Sequence, residues 1–177
     1  MRSMNFADSA KRLFFFAAAL AGCYGAVVFL ALAYFKFQYP YMVGLGEPAL
    51  SEAIRSAAQG ILPYRELSSP PYTLVPYGPV YLGLAAIAGH GFKLVFTGGR
   101  IVAFLATAGC AILIYFILRR EGTRKSFSVL AALLFICMPY VREWGVMANV
   151  DMAGTFLDLA AFTAWWYYAA SDQRSQK

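Results

Sequence analysis

Hydrophobic and polar positions in this 177-residue chain segregate into long blocks. Leu13 to Phe35 runs for 23 residues without a charge, enough to cross about 30 Å of hydrocarbon at about 1.5 Å per residue. Three further apolar runs follow at 101–118, 126–141 and 152–170. The third run is short, and Lys125 and Trp144 would extend it by snorkelling and interface anchoring. The fourth ends in Trp165, Trp166, Tyr167 and Tyr168, an aromatic belt of the kind found at a membrane surface. The pattern predicts an all-α, polytopic membrane helix bundle of about four spans. A secretory signal peptide competes for the first run, because Arg2, Lys11 and Arg12 precede it. The Leu20–Cys23 segment LAGC also resembles a lipobox. The apolar run continues for 12 residues beyond Cys23, where a lipoprotein would begin a polar tether, so a retained helix is favoured.

The long polar interval, residues 36–100, contains two further helical patterns. Residues 48–59 carry Ala49, Leu50, Ala53, Ile54, Ala57 and Ala58 on one face and Ser51, Glu52, Arg55, Ser56 and Gln59 on the other. Pro48 stands in the first turn and Gly60 at the stop. This predicts a helix lying on the membrane or packed against the bundle. Five prolines between Leu62 and Pro79 each remove a backbone donor and bias their predecessors toward extended backbone, predicting an irregular loop. Residues 78–92 are apolar but only about 15 long, and charge decides their placement. If they do not cross, Arg119 to Lys125, with four basic residues in seven, fall on the same side as the basic head, as the positive-inside rule prefers. The expected arrangement is a surface or re-entrant helix at 78–92, outer loops at 36–100 and 142–151, and both termini cytoplasmic. The chain is then one membrane module in the plasma (inner) membrane.

Composition agrees. Hydrophobic residues make up 60% and charged ones 14%, with a mean hydropathy of +0.58. A soluble chain this short could not hide so much apolar surface. The net charge of +6 sits beside apolar runs and forms no stripe of its own, so membrane orientation explains it and nucleic-acid binding is excluded. Cys23, Cys110 and Cys137 lie inside apolar runs without metal-ligand spacing and read as inert buried thiols.

An acid shortly after the first span, a short helix, then G-x-x-PYRE (Gly60 to Glu66) and a proline-rich YGPVYL resemble the N-terminal part of the GT-C superfamily. These are polyprenyl-phosphate-sugar glycosyltransferases, among them protein O-mannosyltransferases and lipid A aminoarabinose transferases. In that family the first outer loop carries an acidic motif and two juxtamembrane helices, which suits 48–59 and 78–92. Arg100, Arg119 and Arg120 fit as well, and Asp151 in NVDMAGTFL matches a second acid at the outer start of the fourth span. The family's acidic pair is here Gly46-Glu47, and family members are longer, with about twice as many spans. The resemblance therefore implies the front of an enzyme whose C-terminal part lies elsewhere, and no sugar transfer by the isolated module. It implies transfer of a sugar from a polyprenyl-phosphate carrier to an acceptor on the outer face. The alternative is a non-catalytic scaffold or subunit retaining the module.

Glu47 and Asp151 are the catalytic candidates. A carboxylate at the membrane boundary can take the acceptor's proton or hold a cation against the leaving phosphate. Glu47 could instead complement a helix dipole, and Asp151 could cap its helix. The two are expected to face one another across the outer mouth, where repulsion would raise one pKa or recruit a cation. Asp158, Arg65, Glu66, Tyr64 and Tyr77 are the substrate-binding candidates. Asp158 lies about 10 Å below its helix start and must face the bundle, water or a basic partner. Arg65 and Glu66 could clamp a phosphate or pair with each other, and Tyr64, Tyr72, Tyr77 and Tyr81 could stack on a sugar or anchor at the interface. His90 reads as a surface residue. Two separated carboxylates could share Mg²⁺ or Mn²⁺ with substrate phosphate and water, with no closed protein site visible.

Overall fold

A computed structural model describes residues 6–64, 68, 75, 77–92 and 96–175. All regular structure among them is helical: α1 (Phe6–Gln38), α2 (Glu47–Ala58), α3 (Pro79–Gly89), α4 (Thr97–Arg120), α5 (Lys125–Cys137), α6 (Pro139–Trp144) and α7 (Asp151–Ser175). Among these, Ser9–Gln38 and Thr97–Arg120 are long and apolar enough to cross a bilayer. α7 has the length without the uniform apolarity, interrupted as it is by Asp158.

α1, α4, α5 and α7 form the bundle. α1 and α5 run parallel: Phe15 meets Phe127 at 5.0 Å between ring centroids, and further along Gly25 leaves room for Cys137. α4 and α7 run the other way, with Gly109 facing Phe156. The outward faces keep their apolar side chains exposed, Leu13 and Phe14 at 71% and 77%, which is the surface a lipid solvent requires. At the lower end Arg120 lies 3.7 Å from the Tyr167 ring centroid and 4.9 Å from that of Trp166, so part of the aromatic belt serves as a cation–π seat.

The expected run 126–141 divides in two. Pro139 disfavours helical backbone in Met138, which takes φ −57° and ψ 128°, and Pro139 itself starts α6, as its fixed φ and missing N–H dictate. The 13-residue α5 therefore spans only about 20 Å.

α2 and α3 follow the sequence pattern closely and are packed on the bundle's upper end. Leu50, Ala53 and Ile54 join Tyr81, Leu82 and Ala85 of α3 and Met152 and Ala153 of α7 in the main buried cluster. α3 approaches the start of α4 backbone to backbone: a Cβ on Gly98 would run into the Ala85 carbonyl and lie 2.8 Å from the Gly89 Cα. Ser51, expected on the polar face, is only 2% exposed, because α3 and the start of α4 cover that flank of α2.

Candidate functional site

The upper end is organised by an ion pair. Arg100 in the first turn of α4 is 0% exposed and Glu47, the first residue of α2, 1%. Arg100 Nε donates to Glu47 Oε1 at 3.1 Å and Nη2 donates to Oε2 at 2.9 Å, the two-pronged geometry a guanidinium fork matches. Its remaining N–H groups donate to the carbonyls of Lys36, Tyr39 at 2.7 Å and Tyr41 at 2.8 Å. Glu47 also accepts the Val43 N–H at 2.6 Å and the Ala148 N–H at 2.9 Å. All of the arginine's donors and both oxygens of the carboxylate are thus engaged. The cluster ties together the end of α1, the 39–46 turn, α2, α4 and the 145–150 turn.

Burial by itself would raise the Glu47 pKa. The hydrogen bond and charge of Arg100, with the Val43 and Ala148 N–H groups, outweigh it and hold the carboxyl below its ordinary value. The raised value expected from carboxylate repulsion therefore does not occur at Glu47, which is spoken for by a cation. Tyr81 is shifted up by burial, then by the charges of Glu47 and Asp151, so its phenol stays protonated and donates to the Gly99 carbonyl at 3.3 Å.

Beside this cluster lies a cleft of about 320 Å³ that Glu47, Tyr77 and Asp151 all line, with Gly46, Trp144 and Asn149. The two candidate carboxylates do share one cavity, in unlike states. Asp151 is exposed, and among the described residues its carboxylate has no hydrogen-bond or ion-pair partner. Asp151 is also not the cap of α7. Asn149 takes that position: its Oδ1 accepts the N–H groups of Asp151 at 3.1 Å and Met152 at 3.4 Å, while its Nδ2 donates to the Trp144 carbonyl at 2.6 Å. With Asn149 as cap, the aspartate is left for the cleft. Gly46, where the acidic pair would have its first member, faces open space, with no heavy atom within 4 Å of a built Cβ.

The remaining candidates divide. Tyr77 lines the cleft. Tyr64 lines a separate hollow of about 230 Å³ and donates its hydroxyl to the Tyr77 carbonyl at 2.6 Å, so it supports Tyr77 from outside. Asp158 lies outside the cleft. It is exposed on the flank of α7, away from the face that Met152, Ala153 and Phe156 turn toward the core. It therefore does not point into the bundle, and it has no intrachain partner among the described residues. Arg65, Glu66 and Tyr72 lie outside the described residues. Among those residues no group of three or more His, Cys, Asp or Glu could hold a metal ion, and the Glu47 oxygens are occupied by N–H donors. The cleft as built does not fit a protein-held Mg²⁺ or Mn²⁺.

Sequence reasoning missed Arg100 as the partner of Glu47. A signal existed: an arginine in the first turn of an apolar helix opposes the helix dipole and needs a nearby anion. Asn149 gave a local signal too, standing two residues before the helix it caps.

The family model for dolichyl-phosphate-mannose-protein mannosyltransferase matches residues 73–177, more than half of the chain. The match contains Tyr77, Arg100 and Asp151 and begins after α2. No curated protein and no solved structure gave a match.

Proposed function

The chain belongs to the dolichyl-phosphate-mannose-protein mannosyltransferase family, and we propose that its upper cleft is where a sugar passes from a polyprenyl-phosphate carrier to an acceptor. The family and the two long apolar helices make this a membrane protein of glycosyltransferase type. The observation that carries the finer reading is the free Asp151 carboxylate in a cleft whose other acid, Glu47, is neutralised by Arg100. In the proposed step an acceptor hydroxyl oxygen bonds to the sugar's anomeric carbon and its proton goes to Asp151. The anomeric C–O bond to phosphate breaks, and the carrier phosphate leaves with the electron pair. Tyr77 and Trp144 offer aromatic surface to the sugar. Glu47 acts as a positioning residue, because a carboxylate bonded four ways is a poor proton acceptor. Membranes containing the chain, given a radiolabelled polyprenyl-phosphate sugar, are expected to transfer label to an acceptor; loss of transfer when only this chain is omitted ties the activity to it. The second reading, a non-catalytic module, is favoured by one observation: glycine at 46 leaves a single free acid in the cleft. It predicts label transfer indifferent to Asp151.

We further propose that the cleft faces outside the plasma (inner) membrane and both termini the cytoplasm. The support is charge: Arg119, Arg120, Arg124 and Lys125 gather at the end of the bundle opposite the cleft. With the native thiols replaced, a cysteine at Gln59 is expected to react with an impermeant maleimide in intact cells and one at Thr123 only after lysis. The reverse pattern would invert the topology.

A further inference from the structure

α7 turns one face to the bundle and leaves the opposite one bare. Met152, Ala153 and Phe156 make up the packed face, and Thr163 continues it. At 3.6 residues per turn the opposite side carries Gly154, Asp158, Ala161 and Trp165. Their spacing of four, three and four residues is the rhythm of a helix-packing seam. Among the described residues nothing fills it. A Cβ built on Gly154 meets no heavy atom within 4 Å, Ala161 is exposed, and Trp165 is 63% exposed. In a membrane, small residues such as Gly154 and Ala161 let a second backbone come close.

The aspartate in this seam lies near the middle of the bilayer. Gly109 is at the centre of the 24-residue α4, a helix long and apolar enough to cross, and it faces Phe156. Further along both helices Arg120 lies over Tyr167, so α7 descends alongside α4. Asp158 therefore stands about 3 Å past the midpoint of α4. A carboxylate at that depth on an outward flank is costly unless something pairs with it. The chain supplies nothing: Asp158 is exposed and has no hydrogen-bond or ion-pair partner among the described residues. The arginines of α4 stand at its two ends, Arg100 above and Arg119 and Arg120 below. Lipid headgroups lie about 15 Å away, half the thickness of the hydrocarbon core. A second copy of this chain, docked by the same stripe, would set carboxylate against carboxylate. The occupant that remains is a helix carrying its own cation to mid-membrane.

We infer that the outward face of α7 docks a further transmembrane helix bearing a lysine or arginine near its midpoint. Asp158 is the counter-ion, Gly154 and Ala161 admit the partner's backbone, and Trp165 covers the lower part of the contact. This is an assembly surface, and its test does not depend on sugar transfer in the cleft.

The test uses the full chain in phosphatidylcholine liposomes, with the native thiols replaced and a donor dye on a cysteine at Thr123. The probe is a synthetic Leu/Ala transmembrane peptide of about 20 residues, with one lysine at its centre and an acceptor dye at one end. Energy transfer, followed as the peptide is diluted in lipid, measures association. The labelled chain is expected to bind this peptide at least about tenfold more tightly than the same peptide with leucine at the centre. Moving the lysine to an end of the peptide should remove the advantage. Asp158→Leu is expected to lose the preference while unfolding at no lower a temperature, because no described group of the chain uses that carboxylate. Asp158→Lys should pass the preference to a peptide with a central glutamate. Gly154→Leu, which meets nothing in its own chain, should weaken lysine-peptide binding by blocking the approach. Equal binding of the lysine and leucine peptides, or a lysine preference that survives Asp158→Leu, overturns the inference. Two other results also overturn it. Energy transfer between differently labelled copies of the chain, lost in Asp158→Leu, would assign the face to self-association. Reaction of the Asp158→Cys variant with a water-soluble maleimide would make the face a water-lined path.

Discussion

Arg100→Leu is expected to destabilise the folded chain by about 3–5 kcal/mol, the cost of leaving a buried charge without its partner. The loss has two parts. Glu47 would remain 1% exposed with only two backbone N–H donors, and three carbonyls, those of Lys36, Tyr39 and Tyr41, would lose the guanidinium that gathers them. Arg100→Lys should recover little, since an ammonium is a point charge and cannot span five acceptors. Glu47→Gln tests the same pair from the other side and adds a pH dependence. Its folded pKa is depressed, so the ionised form contributes stability that is fully present above the unfolded carboxylate value, about pH 4. That contribution disappears as pH falls through the folded value. The stability gap between wild type and Glu47→Gln should therefore be constant near neutrality and narrow in acid. Thermal unfolding in detergent across pH measures both effects. A loss below about 1 kcal/mol for Arg100→Leu would mean the pair is no more than a surface ion pair in effect.

Asp151→Asn is expected to lower sugar transfer at least about 100-fold, the low end for removing a general acid–base group and about 2.7 kcal/mol of barrier. Its unfolding temperature should stay near that of wild type, because Asn149 rather than Asp151 caps α7. Glu47→Gln should lose rate and stability together, whereas Glu52→Gln, away from the cleft, should be close to neutral in rate. That split separates a reacting carboxylate from a positioning one, which a rate measurement alone would not do. Gly46→Asp should fold, since the site is open and its φ of −82° suits any residue. If Asp151→Asn transfers at the wild-type rate, Asp151 has no part in the chemistry, and the non-catalytic reading takes its place.

The helices and their membrane character were legible because both rest on local rules. Long apolar blocks, Pro48 at a helix start and Gly60 at a stop place α2, α3 and α4 within about four residues and the apolar body of α1, whose helix begins earlier, at Phe6. Pro139 carried the same kind of information, and its break between α5 and α6 was readable from the restriction that proline places on Met138. The acids of the cleft were legible as residue types with a family resemblance, while their states were not. Glu47 and Arg100 are separated by 53 positions, and no periodicity connects them. Only packing α2 against the start of α4 places a guanidinium on that carboxylate, takes up its oxygens and depresses its pKa, leaving Asp151 as the free acid. Ser51 shows the same division. Its helix face follows from 3.6-residue periodicity, yet its burial was decided by α3, which covers a flank that a solitary α2 would have turned to water.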